Sequence, residues 1–349
     1  MGYRWTLKDA NFTKDKGTVF SCFACGGGST MGYKLAGFDV IGCNEIDPKM
    51  MEAYKTNHNP KYSYLEPIQT FKLRKDLPKE LYNLDILDGS PPCSSFSSNG
   101  NRKKDWGKKK KFREGQACQV LDDLFFHFIY LAKELQPKVV IAENVKGLVQ
   151  GDAIKYVRQI YREFDKAGYY CQHWLLDASK MGVPQMRERV FFICIRKDLS
   201  KPFLIQKDLF TVVPKLDLVF NKKEIPFIEI SENDKEFLNN TDFFKEWDKL
   251  EVGVSHIRNF STKKVHINKP CYTISSQYRT GFHNGLLHPQ ECRKLNKIEY
   301  ILASSFPLDY NFINENMINI VYVLGNSVPP LMIKEIAIKI YEQIISKLT

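Results

Sequence analysis

No apolar run in the 349-residue chain approaches the roughly 18 to 20 residues that span a bilayer, so an integral membrane protein is not expected. The start, Met1 to Asp9, has no apolar core, so no secretory signal is expected either. A disulfide framework is missing: nine cysteines, an odd number, lie scattered without regular spacing. That usage points to a reducing compartment, the cytoplasm, and to the nucleoid if the source is prokaryotic. Cys22 and Cys25 form one CxxC, but no second CxxC or CxxH completes a zinc tetrad, so packing rather than a metal is the expected role. Internal repeats are absent, and the one low-complexity tract is a Lys run. Disorder over most of the length is excluded, because 43% hydrophobic residues can bury enough surface to offset ordering entropy.

Charge is not scarce. Lys and Arg number 51 against 40 acids, a net +11, which suggests a polyanionic partner without naming it. Between Arg102 and Arg113 lie eight bases (Arg102, Lys103, Lys104, Lys108, Lys109, Lys110, Lys111, Arg113) and one acid, Asp105. The ordinary reading of such a run is a solvated loop; a nuclear-import signal is another.

The first half alternates between strand and helix patterns. Thr18 to Phe23, Val40 to Cys43, Ile86 to Leu87, Val139 to Ala142 and Val190 to Ile195 read as strands. Leu121, Leu124, Phe125, Phe128, Leu131, Ala132 and Leu135 share one helical face, and Pro137 ends that helix. Ile154 to Ala167 reads as a helix stopped by Gly168, and Ile333 to Ile344 as a closing helix. The pattern implies an α/β fold of Rossmann-like type, with a parallel sheet covered by helices and ligands beyond the carboxyl ends of the strands. The α/β domain spans 1–196 and is completed by 310–349. Residues 197–309 form a smaller irregular module, and its Ser231 to Glu251 stretch carries seven acids against three bases.

Five motifs carry candidate chemistry, four of them at strand ends. Phe23-Ala24-Cys25-Gly26-Gly27-Gly28 follows a strand and precedes a helix, where glycines allow close backbone approach to a ligand. Glu45, at the end of the next strand, can accept hydrogen bonds from ribose hydroxyls. NAD and S-adenosylmethionine both fit these two features, as does a plain tight turn. In Asp88-Gly89-Ser90-Pro91-Pro92-Cys93, two prolines fix the backbone before a Cys, which makes Cys93 a nucleophile candidate. Glu143-Asn144-Val145 places an acid at the mouth of an apolar strand, where a raised pKa suits proton donation. In Gln185-Met186-Arg187-Glu188-Arg189 the two arginines alternate, so extended backbone points both forks to one face. Gly325-Asn326-Ser327-Val328-Pro329-Pro330 opens the last helix and suits a capping turn.

The order FxCGGG, NE, PPCSSFS, ENV, QMRER, GNSVPP resembles the DNA (cytosine-5) methyltransferases over nearly the whole chain apart from the middle module, and the short module resembles the prokaryotic restriction-modification type. The resemblance implies a Rossmann-like S-adenosylmethionine-dependent methyltransferase domain and a smaller target-recognition domain at 197–309. It implies transfer of a methyl group from S-adenosylmethionine to carbon 5 of a flipped cytosine in a short duplex DNA sequence, through a covalent Cys93 adduct. Glu143, Arg187 and Arg189 match the other catalytic positions. Phe23, Gly27, Gly28, Glu45, Ile46, Ile68, Pro92, Leu124, Asn326 and Val328 match cofactor contacts. Asn99, Arg102, Lys103, Lys104, Lys108 and Lys109 match a loop that closes over DNA. Within the recognition module, Gln277 and Arg279 have the chemistry to read adenine and guanine edges.

The chain departs from the family pattern at Cys25, where Gly is usual, at Pro67-Ile68 beside Glu66, where an Asp-Ile pair touches adenine, and at Ile298-Glu299, where an Arg-Glu pair is usual. Competing readings are a tRNA cytosine-5 methyltransferase, a catalytically silent DNA-binding module and a nicotinamide dehydrogenase. The last leaves PPC, ENV and QMRER unexplained, and no Cys-Phe-Thr tripeptide typical of the tRNA enzymes is present. The expected partner is double-stranded DNA. The expected state is a monomer, with a cognate restriction endonuclease acting on the same site without binding.

Overall fold

The computed structural model describes residues 2–92, 109–110, 119–120, 123–206, 212–232, 241–256, 259–282 and 284–348. The chain packs as two compact units. One gathers Phe12–Leu176, Glu188–Val219 and Ile336–Thr349; the other gathers Met1–Asn11, Asp177–Arg187 and Phe220–Glu335.

The first unit is built on a seven-stranded sheet. In chain order the strands are β1 Thr18–Cys22, β2 Asp39–Glu45, β3 Tyr62–Leu65, β4 Ile86–Gly89, β5 Val139–Val145, β6 Tyr169–Asp177 and β7 Glu188–Arg196. Their spatial order is β3-β2-β1-β4-β5-β7-β6. Pairing is parallel between β1 and β2, β1 and β4, β2 and β3, and β4 and β5. The sheet is parallel-rich, as the alternation predicts, with β7 running antiparallel to β5. Between β6 and β7 lie ten residues, 178–187, fewer than the dozen or more that a parallel crossover needs.

Helices cover the sheet where the apolar stripes dictate. The helices are α1 Gly28–Leu35, α2 Pro48–His58, α3 Ile68–Phe71, α4 Leu124–Leu135 and α5 Ile154–Lys166. On α4, Leu124, Phe125, Phe128, Leu131, Ala132 and Leu135 are all buried, which is the predicted face apart from Leu121, which lies outside the described residues. It ends at Gln136 in a left-handed conformation, just before Pro137. Asp47 caps α2 by accepting from the Lys49 and Met50 N–H groups, with Pro48 at the first turn. Neither α2 nor β3 stands out in the sequence, because Met50, Met51, Tyr54 and His58 form a weakly apolar stripe.

The second unit carries a three-stranded sheet of β8 Ser255–His256, β9 Asn259–Lys264 and β10 Gly285–Leu287. Helices α6 Thr241–Lys249, α7 Lys297–Ala303 and α8 Met317–Asn326 belong to it, and the division between units falls within α9 Pro330–Gln343. Its interior holds an ion cluster. Arg293 donates both terminal nitrogens to Glu299, each at 2.8 Å, and its Nε lies against Glu291 at 2.5 Å. Glu299 thus finds its guanidinium at Arg293 rather than at position 298. Among the described residues no helix is long and apolar enough to cross a membrane.

Candidate active site

Register aligns the strand ends of the first unit. Cys22 pairs with Asn44 on one side and Gly89 on the other, and Gly89 pairs with Ala142. The chemistry-bearing residues therefore issue from one edge of the sheet.

The Gly-rich turn leaves β1 through three left-handed residues, Phe23 (φ 53°), Cys25 (φ 47°) and Gly27 (φ 79°). A Cβ on Gly27 would lie 2.1 Å from His58 Nε2, so only glycine fits there. Burial holds the His58 imidazole neutral, its pKa pushed down to about 3. Cys25 keeps its strained conformation because its N–H donates to Glu45 Oε2 at 2.8 Å. Glu45 Oε1 accepts from the N–H groups of Ile46 and Asp47 at 2.8 and 2.9 Å. Burial pushes the Glu45 pKa up, against these three donors. An ionised carboxylate has about four acceptor positions, so capacity for a ribose hydroxyl remains. The chain supplies a glycine-rich turn and a held carboxylate, which fits a nucleoside cofactor.

Beside it, Ile68 is buried at the start of α3. The Glu66 carboxylate is engaged by Arg74 at 2.8 Å and by the Thr70 hydroxyl at 2.9 Å. Leu124 and Val328 are also buried, while Asn326 is exposed at the end of α8, donating to the Tyr322 carbonyl at 3.0 Å. The GNSVPP segment closes α8 as well as opening α9.

Asp88, which follows Ile86-Leu87 at the end of β4, is a buried acid at the same strand ends. It accepts from Ser21 Oγ at 2.8 Å and Tyr33 OH at 3.1 Å. Burial, aided by the charge of Glu143, pushes its pKa up to about 7 against these hydrogen bonds. The chain then passes to Pro91, which is buried, and Pro92. Asn144 Nδ2 donates to the Pro91 carbonyl at 3.1 Å, tying the end of β5 to the backbone two residues before Cys93. Cys93 itself lies outside the described residues, as do Asn99, Arg102, Lys103, Lys104 and Lys108. The backbone of Lys109–Lys110 pairs antiparallel with Gln119–Val120.

Glu143 and Arg189 meet within the first unit. On the β5–β7 ladder Glu143 is opposite Phe191 and Arg189 opposite Val145, a diagonal on one face. Arg189 Nε lies 3.0 Å from Glu143 Oε1, and both side chains are largely buried. Burial pushes the Arg189 pKa down, and Glu143 opposes that shift.

Arg187 does not form the second prong of a fork. It precedes the first residue of β7, so strand alternation does not govern its direction. Its guanidinium is buried in the second unit and donates to the carbonyls of Ile274 (3.2 Å), Gly325 (3.0 Å) and Ser327 (3.1 Å). In that unit Gln277 and Arg279 are exposed. Beneath them Lys294 donates to the Arg279 and Asn284 carbonyls at 2.6 and 3.3 Å and sits 4.4 Å from the Tyr278 ring. Burial pushes the Lys294 pKa down to about 8. Among the described residues, no three His, Cys, Asp or Glu side chains converge as a metal site.

A family model for C-5 cytosine-specific DNA methylases matches residues 17–342. The chain is 28% identical over 347 residues to the type II methyltransferase M.NgoPII of Neisseria gonorrhoeae, covering 91% of this chain and 94% of that protein. It is 36% identical over 182 residues to the type II methyltransferase M.FnuDI of Fusobacterium nucleatum, a match spanning about half of each protein, 52% and 48%. Among solved structures, a candidate DNA modification methyltransferase encoded within an E. coli prophage aligns with a TM-score of 0.66 at 20% identity, over 93% of this chain and 99% of that one. DNMT2 of Spodoptera frugiperda aligns with a TM-score of 0.62 at 19% identity, over 92% and 98%. At such identities the structural likeness bears on the fold alone.

Proposed function

The chain belongs to the C-5 cytosine-specific DNA methylase family, and on that footing we propose that it methylates carbon 5 of a cytosine flipped out of a short duplex site. The observation that carries this reading is the Glu143–Arg189 pair at the sheet edge, with Asn144 fixing the backbone that leads into Cys93.

Carbon 5 of cytosine is a poor nucleophile. The Cys93 thiolate adds to carbon 6, forming a carbon–sulfur bond and pushing the ring electrons toward carbon 5. Glu143 donates a proton to ring nitrogen 3 as that addition proceeds. Arg189 orients the Glu143 carboxyl and stabilises charge at the ring carbonyl. S-adenosylmethionine, when bound, supplies the electrophilic methyl that carbon 5 accepts. Loss of the carbon-5 proton to a base, return of the nitrogen-3 proton to Glu143 and expulsion of the Cys93 thiolate then restore the aromatic ring. Phe23, Gly27, Gly28, Glu45, Ile46, Ile68, Pro92, Leu124, Asn326 and Val328 are the residues proposed to hold the cofactor. Asn99, Arg102, Lys103, Lys104, Lys108 and Lys109 are proposed to clamp DNA phosphates. Residues 197–309 are proposed to recognise the target, with Gln277 and Arg279 as base readers.

The family model is one of DNA methylases, which favours duplex DNA over tRNA as substrate. We place the chain in the cytoplasm as a monomer, with any cognate restriction endonuclease cutting the same unmethylated sequence without binding this protein. A duplex carrying 5-fluorocytosine at the target tests the mechanism, because fluorine cannot leave as a proton does. A denaturation-resistant adduct that needs S-adenosylmethionine and is absent in Cys93→Ala is expected. No adduct with an otherwise active chain contradicts it.

A further inference from the structure

We infer that Arg187 couples DNA reading to cofactor holding, because one buried guanidinium joins the backbone entering the exposed Gln277–Arg279 segment to the backbone on both sides of Asn326. The inference rests on the methyltransferase reading above and assigns Arg187 a positioning role rather than contact with the base.

Three sets of contacts within the second unit carry it. The Ile274 peptide is held from both sides: its N–H donates to Gln185 Oε1 at 3.3 Å, and its carbonyl accepts from Arg187 Nη1 at 3.2 Å. Gln185 is itself buried and anchored, its Nε2 donating to the Ala303 carbonyl at 3.1 Å. The other end of the same guanidinium, Nη2, donates to the Gly325 and Ser327 carbonyls, which flank Asn326. Finally, the two backbones touch directly. A Cβ on Gly325 would lie 2.4 Å from the Ser276 nitrogen and 2.5 Å from the Ser275 carbonyl carbon, and backbone cannot swing aside as a side chain can.

A guanidinium is a planar fork of fixed geometry, so it spans two segments in one arrangement of both. Displacing Ile274 while Gly325 and Ser327 stay put would strand a buried charged donor, which costs more than losing an exposed hydrogen bond. Seating DNA on Gln277 and Arg279 therefore biases the turn that presents Asn326 and Val328. Linkage makes the effect reciprocal: a cofactor held by that turn tightens DNA binding by the same factor.

The test uses the whole chain, S-adenosylhomocysteine as the cofactor probe, and a duplex containing the methylated site. Dissociation constants for S-adenosylhomocysteine are measured by calorimetry with and without the duplex. About tenfold tightening is expected in the parent chain, within the usual range for coupled sites. In Arg187→Lys the ratio of the two dissociation constants falls to about twofold or less whatever the affinity without DNA, since a point-like ammonium does not span both segments. Hydrogen exchange on the unsubstituted chain is the second reading and needs no variant. S-adenosylhomocysteine alone slows exchange at Ser276 to Arg279. Full coupling in Arg187→Lys, or no change at Ser276 to Arg279 on cofactor binding, overturns the inference. A chain that binds both probes without coupling overturns it alone; one that binds neither overturns it together with the methyltransferase reading.

Discussion

Arg189 Nε and Glu143 Oε1 lie 3.0 Å apart on one face of the β5–β7 ladder, in side chains only 14% and 12% exposed. Neither group is expendable if Glu143 is to present its carboxyl to a base. Removing Arg189 leaves a largely buried carboxylate without its guanidinium and takes away a donor for the developing charge. Arg189→Ala is expected to slow single-turnover methyl transfer by about 10²- to 10³-fold, a typical loss for one such donor. Arg189→Lys should recover only part of that rate, because an ammonium is not a fork. An alanine variant keeping more than about a tenth of the parent rate would exclude Arg189 from the chemistry.

Asp88 gives a pH dependence with a definite sign. Its folded pKa of about 7 stands above the ~3.9 of an unfolded aspartate. The folded state therefore binds the extra proton between those values, and stability contributed by Asp88 falls as pH rises from about 4 to 7. Asp88→Asn removes this slope. Thermal melts from about pH 5 to about pH 8 should show the variant gaining on the parent chain as pH rises, by up to a few kcal/mol. Parallel melting curves across that range would mean that Asp88 stays ionised in the fold.

Much of the scaffold is legible in the sequence because it rests on local pattern. The α4 stripe from Leu124 to Leu135 and the β-prone Val139 to Ala142 reproduce as buried elements. What escapes the sequence depends on long-range pairing or on where an element begins. Strand alternation predicts a two-arginine fork, but β7 starts at Glu188, so Arg187 lies outside the strand and turns to the carbonyls of Ile274, Gly325 and Ser327. The Asn144 tether to Pro91 joins positions 53 residues apart, and no local motif encodes it. The Glu45 carboxylate reads as a ribose acceptor, yet its backbone donors show that it also anchors the Gly-rich turn.

Cys25 occupies a conformation that glycine adopts at lower cost. Its φ of 47° places an L side chain in the left-handed region, worth roughly 1–2 kcal/mol of strain. Glycine relieves that strain but adds backbone freedom to the unfolded chain, which offsets part of the gain. Cys25→Gly should therefore be neutral or stabilising by up to about 1 kcal/mol in urea unfolding. A loss of more than about 1 kcal/mol would show that the thiol packs favourably enough to outweigh the strain.

The Arg293–Glu299 pair should matter to the second unit's stability. Glu299 is fully buried and also accepts from the Asn296 N–H at 2.8 Å, closing a capping box at the start of α7. Glu299→Gln strands the Arg293 charge in a buried site, so a loss of about 3–5 kcal/mol is expected. Limited proteolysis and melts would register it as early opening of the segments around α7. A variant as stable as the parent would mean that Glu291 alone suffices to hold Arg293.

The most direct test of the account is bisulfite sequencing of DNA from a methylation-free host expressing this chain, with Cys93→Ala and Glu143→Gln beside it. Protected cytosines in one short sequence, complete loss in Cys93→Ala, and strong reduction in Glu143→Gln are expected. Protection that persists in Cys93→Ala, or no protected sequence at all with folded protein present, would contradict it.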